Sequence, residues 1–125
     1  MNIKLQGKRS FIKSMKHALD GIGYVSSKER NFKIEIFFGT LATILGFVLK
    51  VSLSEWLILI LTISMVLCLE IVNTAIERTV DLVTKEYEEL AKIAKDASAG
   101  AVLVMSMFSV VIGIIIFLPK LINIL

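Results

Sequence analysis

The side chains best suited to chemistry lie in one acidic stretch, Glu70-Ile-Val-Asn73-Thr-Ala-Ile-Glu77-Arg-Thr-Val-Asp81. On a continuous helix, at about 100° per residue, its polar side chains share a single face: Glu70, Asn73, Glu77 and Asp81. Three carboxylates and an amide on one stripe, outnumbering any cation there, are typical of a site for a metal ion, a proton or both. The alternative is a polar helix face whose groups are satisfied by neighbouring helices.

The depth of this stretch in a membrane follows from the uncharged run before it, residues 56–69. A helix that begins near Leu53 crosses the ~30 Å hydrocarbon layer in about 20 residues, which brings Glu70 to the inner rim. Glu77 then lies about 10 Å further toward the cytoplasm. We therefore predict that Glu70 lies at the depth of a lipid hydroxyl, where it suits a general base, and Glu77 at the depth of a water-soluble phosphate donor.

The hydrophobic runs define the elements that must position these residues. The chain has 125 residues, of which 56% are hydrophobic, and the excess is concentrated in long runs. This pattern predicts one small all-α membrane domain, residues 1–125, with three transmembrane helices: about 30–49, 53–82 and 98–119. Residues 84–98 are polar and are predicted to form a cytoplasmic helical extension with a bend, and Pro119 is predicted to close the third helix.

An amphipathic surface helix is predicted over residues 9–25, before the first membrane run. Apolar residues recur there at three- and four-residue intervals, with lysines on the other side: Phe11, Ile12, Met15, Ala18, Leu19 and Ile22. Gly21 and Gly23 are expected to loosen the chain, and residues 26–29 to form a turn into the next helix.

Charge distribution predicts the orientation. Eight of the 14 Lys and Arg residues precede the first apolar run, so the positive-inside rule puts the N-terminus in the cytoplasm and, after three crossings, the C-terminus outside. The hydrophobic runs and the acidic stripe argue against nucleic-acid binding by this basic segment. Cys68, the single cysteine, lies inside an apolar run and is predicted to be a packing residue.

Charged residues outside the stripe give further candidates. Lys95-Asp96 is often only a solvated surface pair, but beside a membrane helix Lys95 could hold nucleotide phosphates. Glu29 could bind Mg²⁺ together with Glu77, or be an N-terminal helix acid stabilised by the helix dipole. His17 is expected on the polar face of the surface helix, with nucleotide contact as the alternative.

The stretch from Glu70 to Asp81, with Ala94-Lys95-Asp96-Ala-Ser-Ala-Gly100-Ala-Val, closely resembles the signature of the small bacterial integral-membrane lipid kinases. These are the diacylglycerol kinases and their undecaprenol kinase relatives. The resemblance covers nearly the whole chain, including Glu29-x-x-Phe32 and the three hydrophobic runs. It implies a homotrimer with an N-terminal surface helix on each subunit, active sites shared between neighbours at the inner membrane surface, ATP as co-substrate and Mg²⁺ as cofactor.

The same resemblance implies roles for individual residues. Glu70 is the catalytic base and Asn73 orients the site, while Glu29 and Glu77 hold the metal. Nucleotide binding is implied for a larger set: His17, Glu29, Glu77, Glu86, Tyr87, Glu88, Lys95 and Asp96. Lipid-substrate binding is implied for Arg9, Glu35, Glu70 and Ser98.

Only the resemblance indicates which lipid is the substrate. Residues 26–35 and the apolar pattern of the surface helix are more similar to the Gram-positive branch, which implies conversion of undecaprenol to undecaprenyl phosphate. The alternative is a diacylglycerol kinase that makes phosphatidic acid. An alternative of another class is a non-catalytic small membrane protein whose acidic stripe forms an ion or proton pathway.

Overall fold

The computed structural model describes residues 8–125, and these residues form four α-helices and no strand. The helices are α1 (Lys8–Lys28), α2 (Arg30–Val48), α3 (Leu53–Val83) and α4 (Glu89–Ile124). The last three are each long and apolar enough to span a membrane. The predicted fold class, an all-α membrane protein with three spanning helices and an N-terminal amphipathic helix, is confirmed.

Helix α1 presents an apolar stripe that nothing else in the described chain covers. Five large side chains of this stripe are exposed: Phe11, Ile12, Met15, Leu19 and Ile22. A helix with one apolar and one basic face is the form that lies at a membrane surface, apolar side down.

The predicted turn at residues 26–29 is wrong, because α1 continues through both glycines to Lys28. The hydroxyls of Ser26 and Ser27 donate to carbonyls one turn back in α1, at 2.8 and 3.1 Å, instead of capping a new helix. Glu29 alone leaves the helical conformation, with φ −98° and ψ 113°. The carboxylate of Glu29 therefore lies at the junction of α1 and α2.

A tight connection joins α2 to α3. The N–H groups of Lys50 and Val51 donate to the carbonyls of Phe47 and Gly46, at 3.4 and 3.1 Å, and Lys50 has a φ of 54°. These bonds form a Schellman motif with lysine at the left-handed position that glycine usually takes. Ser52 and Glu55 exchange side-chain and backbone hydrogen bonds immediately afterwards, which is a capping box for α3.

Gly46 allows α2 and α3 to approach closely beside this turn. A Cβ atom at this position would lie 2.6 Å from Cη2 of Trp56. The indole also contacts Phe47, with ring centroids 4.8 Å apart. Next to this contact is the small buried core at this end of the bundle: Val51, Leu59, Ile116 and Phe117.

Helices α3 and α4 make the most extensive helix–helix contact, and an ion pair joins them at each end. Glu55 pairs with Lys120 at 2.9 Å, and Asp81 with Lys95 at 2.5 Å. Residues 55 to 81 of one helix span about 39 Å. This separation exceeds the ~30 Å thickness of a hydrocarbon layer, so the two pairs are far enough apart to lie on opposite sides of one.

Helix α4 is longer than the predicted 98–119 segment. Residues 84–88 are not helical, and α4 begins at Glu89, because the sequence from there is rich in strong helix formers. At the other end, Pro119 lies inside α4, which continues to Ile124. Proline removes only one intrahelical hydrogen bond, and the ion pair of Lys120 keeps the next turn against α3.

Candidate active site

Glu70 is the most deeply buried large side chain in the described part of the protein, with 1% of its surface exposed. It lies on α3, and the hydroxyl of Thr74 donates to its main-chain carbonyl at 3.0 Å. Its carboxylate oxygen Oε2 is buried and has no hydrogen-bond partner among residues 8–125. Leaving a buried polar atom unpaired is costly, and such an atom commonly belongs to a site that pairs it with a ligand or a proton.

Asn73, one turn further along α3, is also buried and links α4 to Glu77. Ser98 Oγ donates to Asn73 Oδ1 at 2.7 Å, and Asn73 Nδ2 donates to Glu77 Oε1 at 3.0 Å. Both ends of the amide are thus fixed by hydrogen bonds. One oxygen of Glu77, Oε1, is therefore held by the amide, and the other, Oε2, takes no part in this hydrogen bond.

Glu29 comes to the same place from the junction of α1 and α2. Arg78 Nη2 donates to Glu29 Oε1 at 2.7 Å, and Arg78 Nη1 lies 3.7 Å from Glu77 Oε2. The two carboxylates predicted to bind a metal therefore share one neighbouring guanidinium. Arg78 in turn donates from Nε to the hydroxyl of Tyr24, on α1, at 2.9 Å.

The sequence reasoning missed both Tyr24 and Arg78. Arg78 is the one basic residue inside the acidic stretch from Glu70 to Asp81, and its positive charge there could have identified it as a candidate site residue. Tyr24 carried no comparable signal, because its contact with Arg78 joins residues far apart in the sequence.

The donor set fits Mg²⁺ bound with a phosphate ligand. Within residues 8–125, no three His, Cys, Asp or Glu side chains come together as a complete metal cage. Glu29 and Glu77 instead supply carboxylate oxygens from two elements. Mg²⁺ in nucleotide sites is commonly held by one or two carboxylates plus substrate phosphates and water, so these two residues would be its ligands.

A cavity of about 450 Å³, called the polar cavity below because most of its lining residues are charged or polar, lies where α3 ends and α4 begins. Its lining includes five residues predicted to bind nucleotide: Glu86, Tyr87, Glu88, Lys95 and Asp96. Asp81 lines it too and pairs with Lys95, a partner that the sequence reasoning did not assign. Lys92, a further cation in this wall, pairs with Asp96. The structure thus brings these predicted residues together at one end of the bundle, where α3 ends and α4 begins.

A second cavity, of about 430 Å³, lies between α2, α3 and α4 and is lined mainly by apolar side chains. Glu35 is among its lining residues, and its Oε2 is buried and unpaired in the described structure, like that of Glu70. The other polar side chains of its lining are those of Asn31, Thr62, Ser106 and Ser109. An apolar cavity with a few polar groups is the form that accepts a hydrocarbon chain bearing a polar head.

Two further predicted contacts, those of His17 and Arg9, have no support from the described residues. His17 is exposed on α1, where its Nδ1 lies 4.0 Å from Asp20, and it lines neither cavity. The predicted substrate contact of Arg9 concerns a side chain outside the described residues. Both roles stay predictions.

Along α3, the buried Glu70 lies between the residues that line the apolar cavity and those that line the polar cavity, and it lines neither of them. Residues 16–117 match the family model described as prokaryotic diacylglycerol kinase. The chain therefore belongs to the prokaryotic diacylglycerol kinase family. It is a multi-pass membrane protein and a lipid kinase, a phosphotransferase with an alcohol acceptor and ATP as co-substrate, and the predicted family is confirmed.

The relatives of the chain include proteins named undecaprenol kinase and proteins named diacylglycerol kinase. The chain is 48% identical over 111 residues to an undecaprenol kinase of Bacillus subtilis, which covers 89% of this chain and 90% of that protein. It is 39% identical over 113 residues to a diacylglycerol kinase of a Synechocystis species, covering 90% of this chain and 65% of that protein. It is 32% identical over 100 residues to the diacylglycerol kinase of Escherichia coli K12, covering 80% and 82%.

Proposed function

We propose that this lipid kinase transfers the γ-phosphate of MgATP to the hydroxyl of undecaprenol, giving undecaprenyl phosphate. The relative named undecaprenol kinase is 48% identical, against 39% and 32% for the two diacylglycerol kinases described above. Diacylglycerol, with phosphatidic acid as product, is the second candidate, and it is favoured by the names of those two relatives.

Glu70 is the proposed general base. The observation that carries this role is its Oε2 atom, which is buried and has no hydrogen-bond partner among residues 8–125. A lipid hydroxyl that donates to this oxygen is oriented for attack, and the proton passes to the carboxylate as the new oxygen–phosphorus bond forms and ADP leaves. Burial also excludes water, which would otherwise compete with the lipid as phosphate acceptor.

The metal and nucleotide are proposed to lie on the cytoplasmic side of Glu70. Glu29 and Glu77 would hold Mg²⁺, which supplies charge neutralisation on the phosphates. Asn73 positions Glu77 through its hydrogen bond, and Ser98 positions Asn73. The polar cavity would take the nucleotide, with Lys95 near the phosphates and residues 86–88 near the base and ribose.

The depth of these groups supports the arrangement. Helix α3 has 31 residues and spans about 46 Å, well beyond a hydrocarbon layer of ~30 Å. Its inner turns, with Glu77 and Asp81, therefore project into the cytoplasmic interface while Glu70 stays near lipid. Positioning two reactants of opposite solubility at one boundary removes much of the entropic barrier to reaction.

We further propose that residues 1–125 act as one domain in a homotrimer, with the N-terminus in the cytoplasm and the C-terminus outside. Large apolar side chains along α2 and α4, among them Phe37 and Val110, are exposed on the single chain. These surfaces would face either lipid tails or neighbouring subunits. Each active site would then combine side chains of one chain with side chains of a neighbouring subunit.

The test is a competition between lipids. Purified protein in mixed micelles receives undecaprenol and dioleoylglycerol at equal concentration, together with ATP radiolabelled in the γ-phosphate. Label predominantly in undecaprenyl phosphate is the expected result. Label predominantly in phosphatidic acid would replace undecaprenol by the second candidate, and label in neither lipid would contradict both candidate substrates.

A further inference from the structure

We propose that Arg78 binds phosphate oxygens of the nucleotide. This inference rests on the proposed function, in which Glu29 and Glu77 hold the metal of MgATP. None of the roles predicted from the sequence includes Arg78, and neither the metal site nor the lysine of the polar cavity requires it. Its place between the two carboxylates is what assigns the role.

The guanidinium is held in one orientation by contacts from two other elements. Nε donates to the hydroxyl of Tyr24 on α1 at 2.9 Å, and Nη2 donates to Glu29 Oε1 at 2.7 Å. The guanidinium carbon also lies 5.6 Å from the centroid of the Tyr24 ring, within the range of a cation–π contact. An arginine fixed in this way loses less side-chain entropy when it binds a ligand.

The held guanidinium still has donors to offer. Arginine carries five N–H groups, and the contacts with Tyr24 and Glu29 use one each. Nη1 is 3.7 Å from Glu77 Oε2, which is an ion-pair distance but too long for a hydrogen bond. The side chain is 43% exposed, so its remaining N–H groups can reach a ligand from the cytoplasmic side.

The surrounding charge makes phosphate the ligand class that fits these donors. Two carboxylates beside one another repel a polyphosphate, and the guanidinium offsets part of that repulsion at the point where the metal-bound phosphates would lie. Planar paired N–H groups match phosphate oxygens bidentately. The contact with Glu29 uses one oxygen of that carboxylate, so Glu29 can bind the guanidinium and a metal at the same time.

A competing explanation makes Arg78 a counter-ion that the metal displaces. On that explanation, removal of the arginine frees Glu29 and Glu77, and Mg²⁺ alone binds more tightly. A second explanation makes Arg78 a structural tie between α1 and α3, in which case loss of the Tyr24 hydroxyl has the same effect as loss of the arginine. The three explanations predict different results for the same set of variants.

The experiment is isothermal titration calorimetry of the full chain in detergent with Mg²⁺ and a non-hydrolysable ATP analogue, and separately with Mg²⁺ alone. Arg78→Ala is expected to weaken binding of the Mg²⁺–analogue complex by about tenfold or more, as loss of a charge-assisted hydrogen bond predicts. Arg78→Lys should recover part of the loss, and Tyr24→Phe should weaken binding by less than about threefold, since the guanidinium remains. Arg78→Gln carries the same test if the alanine variant does not fold.

Three results would overturn the inference: binding of the analogue unchanged within twofold in the alanine variant, equal losses for Arg78→Ala and Tyr24→Phe, or tighter binding of Mg²⁺ alone without loss of analogue binding. Failure of the proposed function has a different outcome. In that case the wild-type chain itself binds no Mg²⁺–analogue complex, whatever the variants do.

Discussion

Asn73 is the residue through which α4 and Glu77 are connected, so its removal offers a sharp test of the proposed metal site. In Asn73→Ala, Glu77 Oε1 loses its donor and Ser98 Oγ loses its acceptor. The carboxylate of Glu77 is then free to turn away from the metal. The expected result is a higher Mg²⁺ concentration for half-maximal kinase rate.

The size of the shift follows from the lost contact. A hydrogen bond to a charged group contributes about 1.5–3 kcal/mol, which corresponds to roughly 10- to 150-fold in affinity. The side chain of Glu77 is 31% exposed, so water replaces part of the lost bond. We therefore expect about a tenfold shift for Asn73→Ala, and a smaller one, about two- to fivefold, for Ser98→Ala.

The assay measures the initial rate of lipid phosphorylation against free Mg²⁺, at saturating ATP and lipid. Glu77→Gln gives the larger shift expected when the ligand itself is lost. Ser64→Ala is the matched control, since that exposed serine on the same helix donates only to the carbonyl of Leu61, and its titration should match the wild type. A lower maximal rate for Asn73→Ala with an unchanged Mg²⁺ midpoint would refute the reasoning and place Asn73 with Glu70 instead.

Three further predictions concern other parts of the molecule. Lys95→Met should raise the KM for ATP about tenfold or more, measured by steady-state kinetics, because a charged phosphate contact is lost; an unchanged KM would remove Lys95 from the nucleotide site. Gly46→Ala should destabilise the fold by about 1–3 kcal/mol in thermal unfolding, because its Cβ would lie 2.6 Å from Trp56, whereas Gly21→Ala, with open space around it, should not. Ser52→Ala should cost about 1 kcal/mol in the same measurement, since the capping box of α3 is lost; equal melting temperatures would contradict this.

The sequence predicted the spanning helices because hydrophobic runs of membrane length have few alternative structures. Helix ends were less predictable. Ser26 and Ser27 are good capping residues, but their hydroxyls bond within α1, and Pro119 lies inside α4. Such choices depend on energies of about 1 kcal/mol, which tertiary contacts readily outweigh.

The candidate site, like the fold, was predictable only in part. The alignment of Glu70, Asn73 and Glu77 follows from helical periodicity, and the hydrogen bond between the last two joins neighbours one turn apart. The contacts of Arg78 with Tyr24 and Glu29 join separate helices. No local pattern encodes the packing of α1 against α3 that brings these residues together.

The most direct test of the account is the variant Glu70→Gln, which keeps the shape of the side chain and removes its capacity to accept a proton. The measurement pairs the rate of phosphate transfer to lipid with calorimetric binding of Mg²⁺ and the ATP analogue. We predict that transfer is lost while the protein remains folded and binds the analogue within about twofold of the wild type, because Glu70 lies outside the proposed metal and nucleotide contacts. A variant that transfers phosphate at near the wild-type rate would contradict Glu70 as the general base.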